Sequence, residues 1–298
     1  AQDFNRAAPI ALTYLHGCYL NLGWVMPARD LERKHARQIP DSLKKARVSG
    51  IWAENGIRIS SNYQLAGNNL WASVGIRLPV NSRVALWQAF SLLKQGDSKK
   101  KEGLPAALQY EYYMSPEFSP DPIVSVRSFG HAQWIVSDTE FLNYVVGIST
   151  VIRSRPADIR LSYSGNRMDG MLTHQAEIEL TAFPNGNATL YPGVIYRMLF
   201  SPLYKTSSLT VLLGLSLGPR IALDMNITQG YNRYYQFFDG MYLYNQTDPM
   251  LRNVGVNFTF RLNQILMKLS YQFDVKRNEM LQETYRQHGL YITIFTNL

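Results

Sequence analysis

The chain has 298 residues, length enough for about two ordinary domains, and carries 30 Lys+Arg against 22 Asp+Glu for a net charge of +8. Charged residues make up only 17%, where soluble domains carry about 25%, while 12% are aromatic. No apolar run approaches the roughly 18 residues of a spanning helix, and the single cysteine, Cys18, excludes a disulfide scaffold and a cysteine-rich zinc site.

The chain opens Ala1-Gln2-Asp3-Phe4 without Met, as an exported chain does once its leader is removed and as a trimmed expression product also does. Hydrophobic periodicity is two from end to end, the period of strands. Ile10, Leu12, Tyr14, Leu20, Leu22 and Trp24 share parity and predict a strand in 10–24. Alternating runs follow at 55–65 and 69–80. The stretch 83–94 stays ambiguous, because Leu86, Phe90 and Leu93 would also suit a helix. Further runs lie at 122–136, 140–153 and 157–165.

The clearest alternation is 171–182. Leu172, His174, Ala176, Ile178 and Leu180 share one face, and Thr173, Gln175, Glu177 and Glu179 the other. Runs at 188–200, 208–218 and 221–228 lead to two long ones. Val254, Val256, Phe258 and Phe260 alternate with Asn253, Gly255, Asn257 and Thr259; then Ile265, Met267, Leu269, Tyr271 and Phe273 alternate with Lys268, Ser270 and Gln272. Leu290, Ile292 and Ile294 share the last apolar face. About fourteen strands are expected, in a single domain over 1–298.

Two architectures produce such a pattern. A soluble sandwich or propeller turns its apolar face inward, whereas a transmembrane barrel turns it to lipid and keeps a polar lumen. Strand length favours the barrel. Soluble strands run about 5–6 residues, while tilted spanning strands need ~9–11, a length reached at 10–24, 171–182, 253–262 and 265–275. The many Tyr and Trp would supply interfacial girdles, with Trp24, Trp71 and Trp134 near strand ends. The expected fold is an all-β, antiparallel transmembrane barrel.

The last segment, Gln287-His288-Gly289-Leu290-Tyr291-Ile292-Thr293-Ile294, resembles the C-terminal β-signal of Gram-negative outer-membrane barrels. Gln287, Gly289, Ile292 and Ile294 fill its polar, glycine and two hydrophobic slots. The chain departs from the pattern in ending on Leu298 rather than an aromatic residue, and Asn253-x-Gly255-x-x-Phe258-x-Phe260 repeats it internally. The ending and composition look most like barrels of the Bacteroidota. The resemblance implies a bacterial outer-membrane location, insertion by the barrel-assembly machinery, contact with outer-membrane lipid and lipopolysaccharide, and both chain termini on the periplasmic side.

Gly214-Leu215-Ser216-Leu217-Gly218 matches the G-x-S-x-G nucleophile elbow, with Asp224, Asp239 or Asp274 and then His288 downstream in hydrolase order. The elbow needs a strand-to-helix turn, yet Leu209, Val211, Leu213, Leu215 and Leu217 alternate straight through it. His16, His35, His131, His174 and His288 show no metal-ligand spacing, and no phosphate loop occurs. No enzyme activity and no cofactor are expected.

Charge on the polar faces has two readings. Arg127, Glu177, Glu179, Arg197, Arg261, Lys268 and Asp274 either line a selective pore or neutralise one another and close it; mixed signs favour the second. The stretch 29–47 carries seven basic residues: Arg29, Arg33, Lys34, Arg37, Lys44, Lys45 and Arg47. It reads as a solvated basic helix face, or as a surface for lipopolysaccharide phosphates or an acidic partner. Without interleaved aromatics it does not suit nucleic acid. The stretch 230–250 carries Tyr231, Tyr234, Tyr235, Phe237, Phe238, Tyr242 and Tyr244, either a partner surface or a hairpin within the girdle. Since a plain pore needs neither stretch, the expected function is a non-enzymatic accessory subunit of a larger envelope complex serving assembly, secretion or uptake. The alternatives are a passive channel for small anions and, remotely, a serine hydrolase.

Overall fold

Strict alternation commits each stretch to an extended ribbon with one apolar and one polar face, and the polar faces find one another by closing into a ring. The computed structural model describes residues 50–62, 67–80, 83–96, 107–121, 123–137, 140–154, 156–184, 189–218, 220–237, 239, 241–244, 248–262, 265–279 and 281–297. Their first eight strands are β1 (Gly50–Ser60), β2 (Asn69–Pro79), β3 (Val84–Gln95), β4 (Ala107–Phe118), β5 (Val124–Val136), β6 (Glu140–Arg153), β7 (Ala157–Met168) and β8 (Met171–Ala182). The rest are β9 (Leu190–Phe200), β10 (Lys205–Ser216), β11 (Ile221–Asn232), β12 (Tyr235–Phe237), β13 (Tyr242–Tyr244), β14 (Met250–Leu262), β15 (Ile265–Asn278) and β16 (Glu283–Asn297).

Fourteen of these form one closed antiparallel barrel in which each strand pairs with its chain neighbour, and β16 pairs with β1 to close the ring. The remaining two, β12 and β13, make a separate hairpin between β11 and β14. Gly50 and Asn297 lie together at one end, the terminal rim. The β11–β14 connection leaves from the opposite end, the distal rim.

The barrel is inside-out relative to a soluble domain. Among the described residues, 31 polar or charged side chains are buried against 13 apolar ones, while Leu142, Val146, Leu172, Ile178, Leu290 and Ile292 stand exposed. An exposed apolar belt around spanning-length strands is the signature of a wall facing lipid. The faces at 171–182 fall as their alternation predicts: Thr173, Gln175 and Glu177 are buried inward, and Leu172, Ile178 and Leu180 point out.

Three readings change. The stretch 83–94 is strand β3, with Phe90 exposed on the outer face. The segment 107–118, absent from the alternating runs, is strand β4. Trp71 faces the lumen, where its indole Nε1 donates to Glu54 at 2.9 Å, because the parity of β2 sends Leu70 and Val74 outward instead. Trp134 alone of Trp24, Trp71 and Trp134 is seen on the outer face, half exposed; Trp24 and the strand expected in 10–24 lie outside the described residues.

Candidate functional site

The lumen holds the protein's most organised chemistry. Tyr234, at φ 59, turns the chain out of β11, and the hairpin 233–244 runs down the inside of the barrel. Just before it, Gly230 has φ +141 and lies so close to β10 that a Cβ would sit 2.4 Å from the Ser207 carbonyl oxygen. Only glycine fits that approach.

Seven strands grip the hairpin. Tyr235 hydrogen-bonds Thr206 of β10 through its hydroxyl at 3.2 Å. The Gln175 side chain of β8 takes both backbone groups of Gln236, accepting from its N–H and donating to its carbonyl, each at 3.0 Å. That amide does the work of a missing neighbour strand. Gln236 Nε2 donates to Ser164 of β7. Arg197 of β9 lies over the Phe237 ring, 4.8 Å from its centroid. On the returning arm Tyr242 packs beside Trp71 of β2 and donates to Glu54 of β1 at 3.2 Å. Burial and the Glu54 carboxylate hold the Tyr242 hydroxyl well above its ordinary pKa, so it stays a donor.

Asp239, at the hairpin's tip, reaches toward the terminal rim. Its carboxylate contacts Arg127 of β5 at 3.1 Å and Arg160 of β7 at 3.6 Å, both three residues from the terminal-rim start of their strands. The hairpin therefore crosses most of the lumen's height.

Asp239 also completes a belt of charge. Glu117 of β4 pairs with Arg127 at 3.2 Å; Arg160 pairs with Glu177 at 3.3 Å and with Glu179 of β8. Arg197 pairs with Glu177 and donates to Thr210 of β10 at 3.0 Å. Thr210 in turn meets Thr228 of β11 at 2.8 Å. Each buried arginine here meets at least one carboxylate, and Arg127 and Arg160 each bridge two or more of them.

The residues expected to bear lumen charge all sit on inward-facing positions. Arg127, Glu177, Glu179 and Arg197 join the belt, Asp274 accepts from Asn253 Nδ2 at 2.6 Å, and Arg261 and Lys268 are half-buried on β14 and β15. Glu54, Glu117, Arg160 and Asp239 belong to the same chemistry and are not among the lumen charges expected from the sequence, where Asp239 figures only as a hydrolase acid. For Arg160 the signal was present, since it shares the inward parity of Ser162 and Ser164.

The aromatic stretch 230–250 faces mostly inward. Tyr234 and Tyr235 are buried, Tyr234 with Trp52, Tyr113 and Phe129 of the inner wall, and Phe237 is half-buried. Tyr231, at the rim end of β11, donates to Glu279. Phe238, the side chain of Tyr244 and the whole basic stretch Arg29, Arg33, Lys34, Arg37, Lys44, Lys45 and Arg47 lie outside the description. Gln287, Gly289, Ile292 and Ile294 lie on β16, the strand that closes the barrel: Gln287 is buried inward, and Ile292 and Ile294 face lipid.

The hydrolase-like residues stay apart. Ser216 ends β10 and donates to the Gly218 carbonyl at 3.0 Å. Asp224 accepts from Tyr191, and His288 meets Tyr271 on the outer face at 2.8 Å.

No protein-family model matches the chain, and no curated protein matches it in sequence. Among solved structures it is similar to the P. putida toluene transporter TodX, with 7% identity, coverage of 87% of this chain and 91% of that one, and a TM-score of 0.56. It is also similar to a Pseudomonas aeruginosa FadL homologue, with 9% identity, coverage of 85% and 90%, and a TM-score of 0.52. The fold is that of an outer-membrane β-barrel. Fold and apolar belt together place this outer-membrane barrel in the bacterial outer membrane, its polar network sealed from lipid by the wall.

Proposed function

We propose that the protein is a non-enzymatic outer-membrane barrel that serves as an accessory subunit of a larger envelope assembly, working as a closed wall element rather than as an open pore. The observation that carries this reading is the hairpin 233–244, drawn into the lumen and held by seven strands. A diffusion pathway needs a continuous wet passage, and the belt from Glu117 through Asp239 to Thr228 fills the lumen with side chains already paired to one another. Envelope proteins and membrane lipid are the partners this reading implies, with the basic 29–47 stretch the first candidate for protein contact.

Two measurements test it together. Gentle extraction from native membranes followed by native mass determination is expected to recover the chain in a stable assembly with other envelope proteins. In planar bilayers the purified protein is expected to show no long-lived open level. A lone 34 kDa species with steady, ion-selective conductance overturns the proposal.

The second reading is a small-solute channel in which the hairpin is the constriction. It is favoured by a fold shared with a protein described as a toluene transporter. Under it the intact barrel conducts or takes up solute, and loosening the Asp239 contacts raises the rate.

A further inference from the structure

On the outer wall of β14–β16, at the distal rim, two arginines stand with no ionic partner among the described residues. Arg252 and Arg286 are both exposed, and neither makes an ion pair among the described residues. They are register neighbours of the same residue: Arg252 pairs with Val275, and Val275 with Arg286. All three project outward, and the two arginines are two strand spacings apart, about 10 Å. The alignment depends on a bulge. The register shifts between Met250 and Arg252, so that Met250 is buried inward while Arg252 points out.

These arginines border a groove of ≈ 590 Å³ that also takes in Ser61, Val275 and Thr284. Ser61 follows β1 and is tied to Arg286 through both backbone groups: its N–H donates to the Arg286 carbonyl at 2.8 Å, and its hydroxyl accepts from the Arg286 N–H at 3.0 Å. The groove thus offers two guanidinium forks and two hydroxyls. Of the acidic residues at this rim, Glu279 is engaged by Arg233 at 2.5 Å and Asp248 accepts from the Tyr285 hydroxyl at 2.9 Å, while Glu283 opens β16 three residues before Arg286.

Below the groove the wall changes character in steps. One turn of the pleat toward the midplane lie Tyr271, Phe273 and His288, with the His288 and Phe273 rings 5.2 Å apart and Tyr271 hydrogen-bonded to His288. Leu290 lies level with Tyr271, and below them come Leu269 and Ile292, all three exposed and apolar. Cation pair, aromatic layer and apolar wall follow the headgroup, interface and acyl region of a single lipid. An arginine on a barrel's lipid face costs ~2–4 kcal/mol at midplane and ~0–1 at the interface, so this rim is where such a pair is tolerated. Guanidinium forks match phosphate oxygens in bidentate geometry.

We propose that the outer face of β14–β16 at the distal rim is a binding site for the phosphorylated headgroup of a membrane lipid, held between Arg252 and Arg286. The site stands independently of whether the lumen conducts.

The test is native mass spectrometry of the intact detergent-solubilised protein titrated with bisphosphorylated lipid A, with phosphatidylethanolamine, and with inorganic phosphate. The native protein is expected to retain one lipid A through delipidation, and the R252Q/R286Q double variant to bind it at least tenfold more weakly. Arg167→Gln, an exposed position on β7 at the same rim, serves as the control and is expected to bind as the native protein does. Gel mobility of the unboiled protein reports folding. The R252K/R286K variant keeps charge without the fork and is expected to bind between the native and glutamine forms. Undiminished lipid binding by R252Q/R286Q overturns the proposal, as does equal loss in Arg167→Gln or a lysine pair no better than the glutamine pair. Displacement of the lipid by equimolar inorganic phosphate makes this a free-anion site, which also overturns it.

Discussion

The same residue type leads two different lives on the two faces of this wall. Inside, Arg127, Arg160 and Arg197 each touch at least one carboxylate, and Arg197 and Glu177 have side chains only 4% exposed. Outside, Arg252 and Arg286 touch none among the described residues. An inward arginine is surrounded by other inward polar side chains from neighbouring strands, so closing the ring supplies its partner. An outward arginine stands among mostly apolar neighbours, so the closing of the ring does not bring it a carboxylate. The lumen's charges are therefore internal structure, and the outer pair is where the proposed lipid headgroup would supply the opposite charge.

The largest expected effect comes from removing the inner structure altogether. Replacing 233–244 with a short Gly-Ser linker is expected to convert a silent barrel into one with long-lived conductance steps in planar bilayers. Persistent silence would mean that the hairpin is not what fills the lumen.

The next test sets the two faces against each other directly. Arg197→Met strands Glu177 in a buried site with only Arg160 at 3.3 Å beside it, and breaking a buried pair costs ~3–5 kcal/mol. A loss of about 3 kcal/mol is expected in urea unfolding from vesicles. Arg252→Gln, on the outer rim, is expected to cost under about 1 kcal/mol in the same assay. Equal losses would erase the distinction between the faces.

A packing test follows. A Cβ at Gly147 would lie 2.3 Å from the Phe129 ring and 2.7 Å from the Tyr163 carbonyl oxygen. Gly147→Ala is expected to cost ~1–3 kcal/mol through overpacking, read from the same unfolding midpoint. The smallest effect is expected at Ser216, whose hydroxyl only closes a turn. Ser216→Ala should leave stability within about 0.5 kcal/mol, and an active-site serine probe should not label the native protein.

Most of the wall was legible along the chain, with instructive exceptions. The alternation at 171–182 gave both faces of β8, and 253–262 and 265–275 gave β14 and β15 nearly to their ends. Strand β4 escaped because Tyr113 faces inward among outward Tyr110, Tyr112 and Met114, and because Pro116 interrupts a strand pattern. Trp71 was misplaced for a related reason: a large aromatic in a barrel strand suits the girdle and the lumen alike, and only its parity with Leu70 tells them apart. The 230–250 stretch was legible as unusual but not as inward, since its composition alone fits a displayed patch.

What the sequence determined by itself is the period. Alternation of apolar and polar residues is a local property, and it commits the chain to spanning strands with one face for lipid. The tertiary structure decided which distant residues meet. Tyr242 reaches Glu54 across 188 positions, and Asp239 finds Arg127 across 112, because a long connection folds back into a ring that exists only once β16 has paired with β1. The Arg252–Arg286 pair likewise needs two strand pairings and one bulge to share an outer face. Periodicity is written residue by residue; register and insertion arise only when the barrel closes.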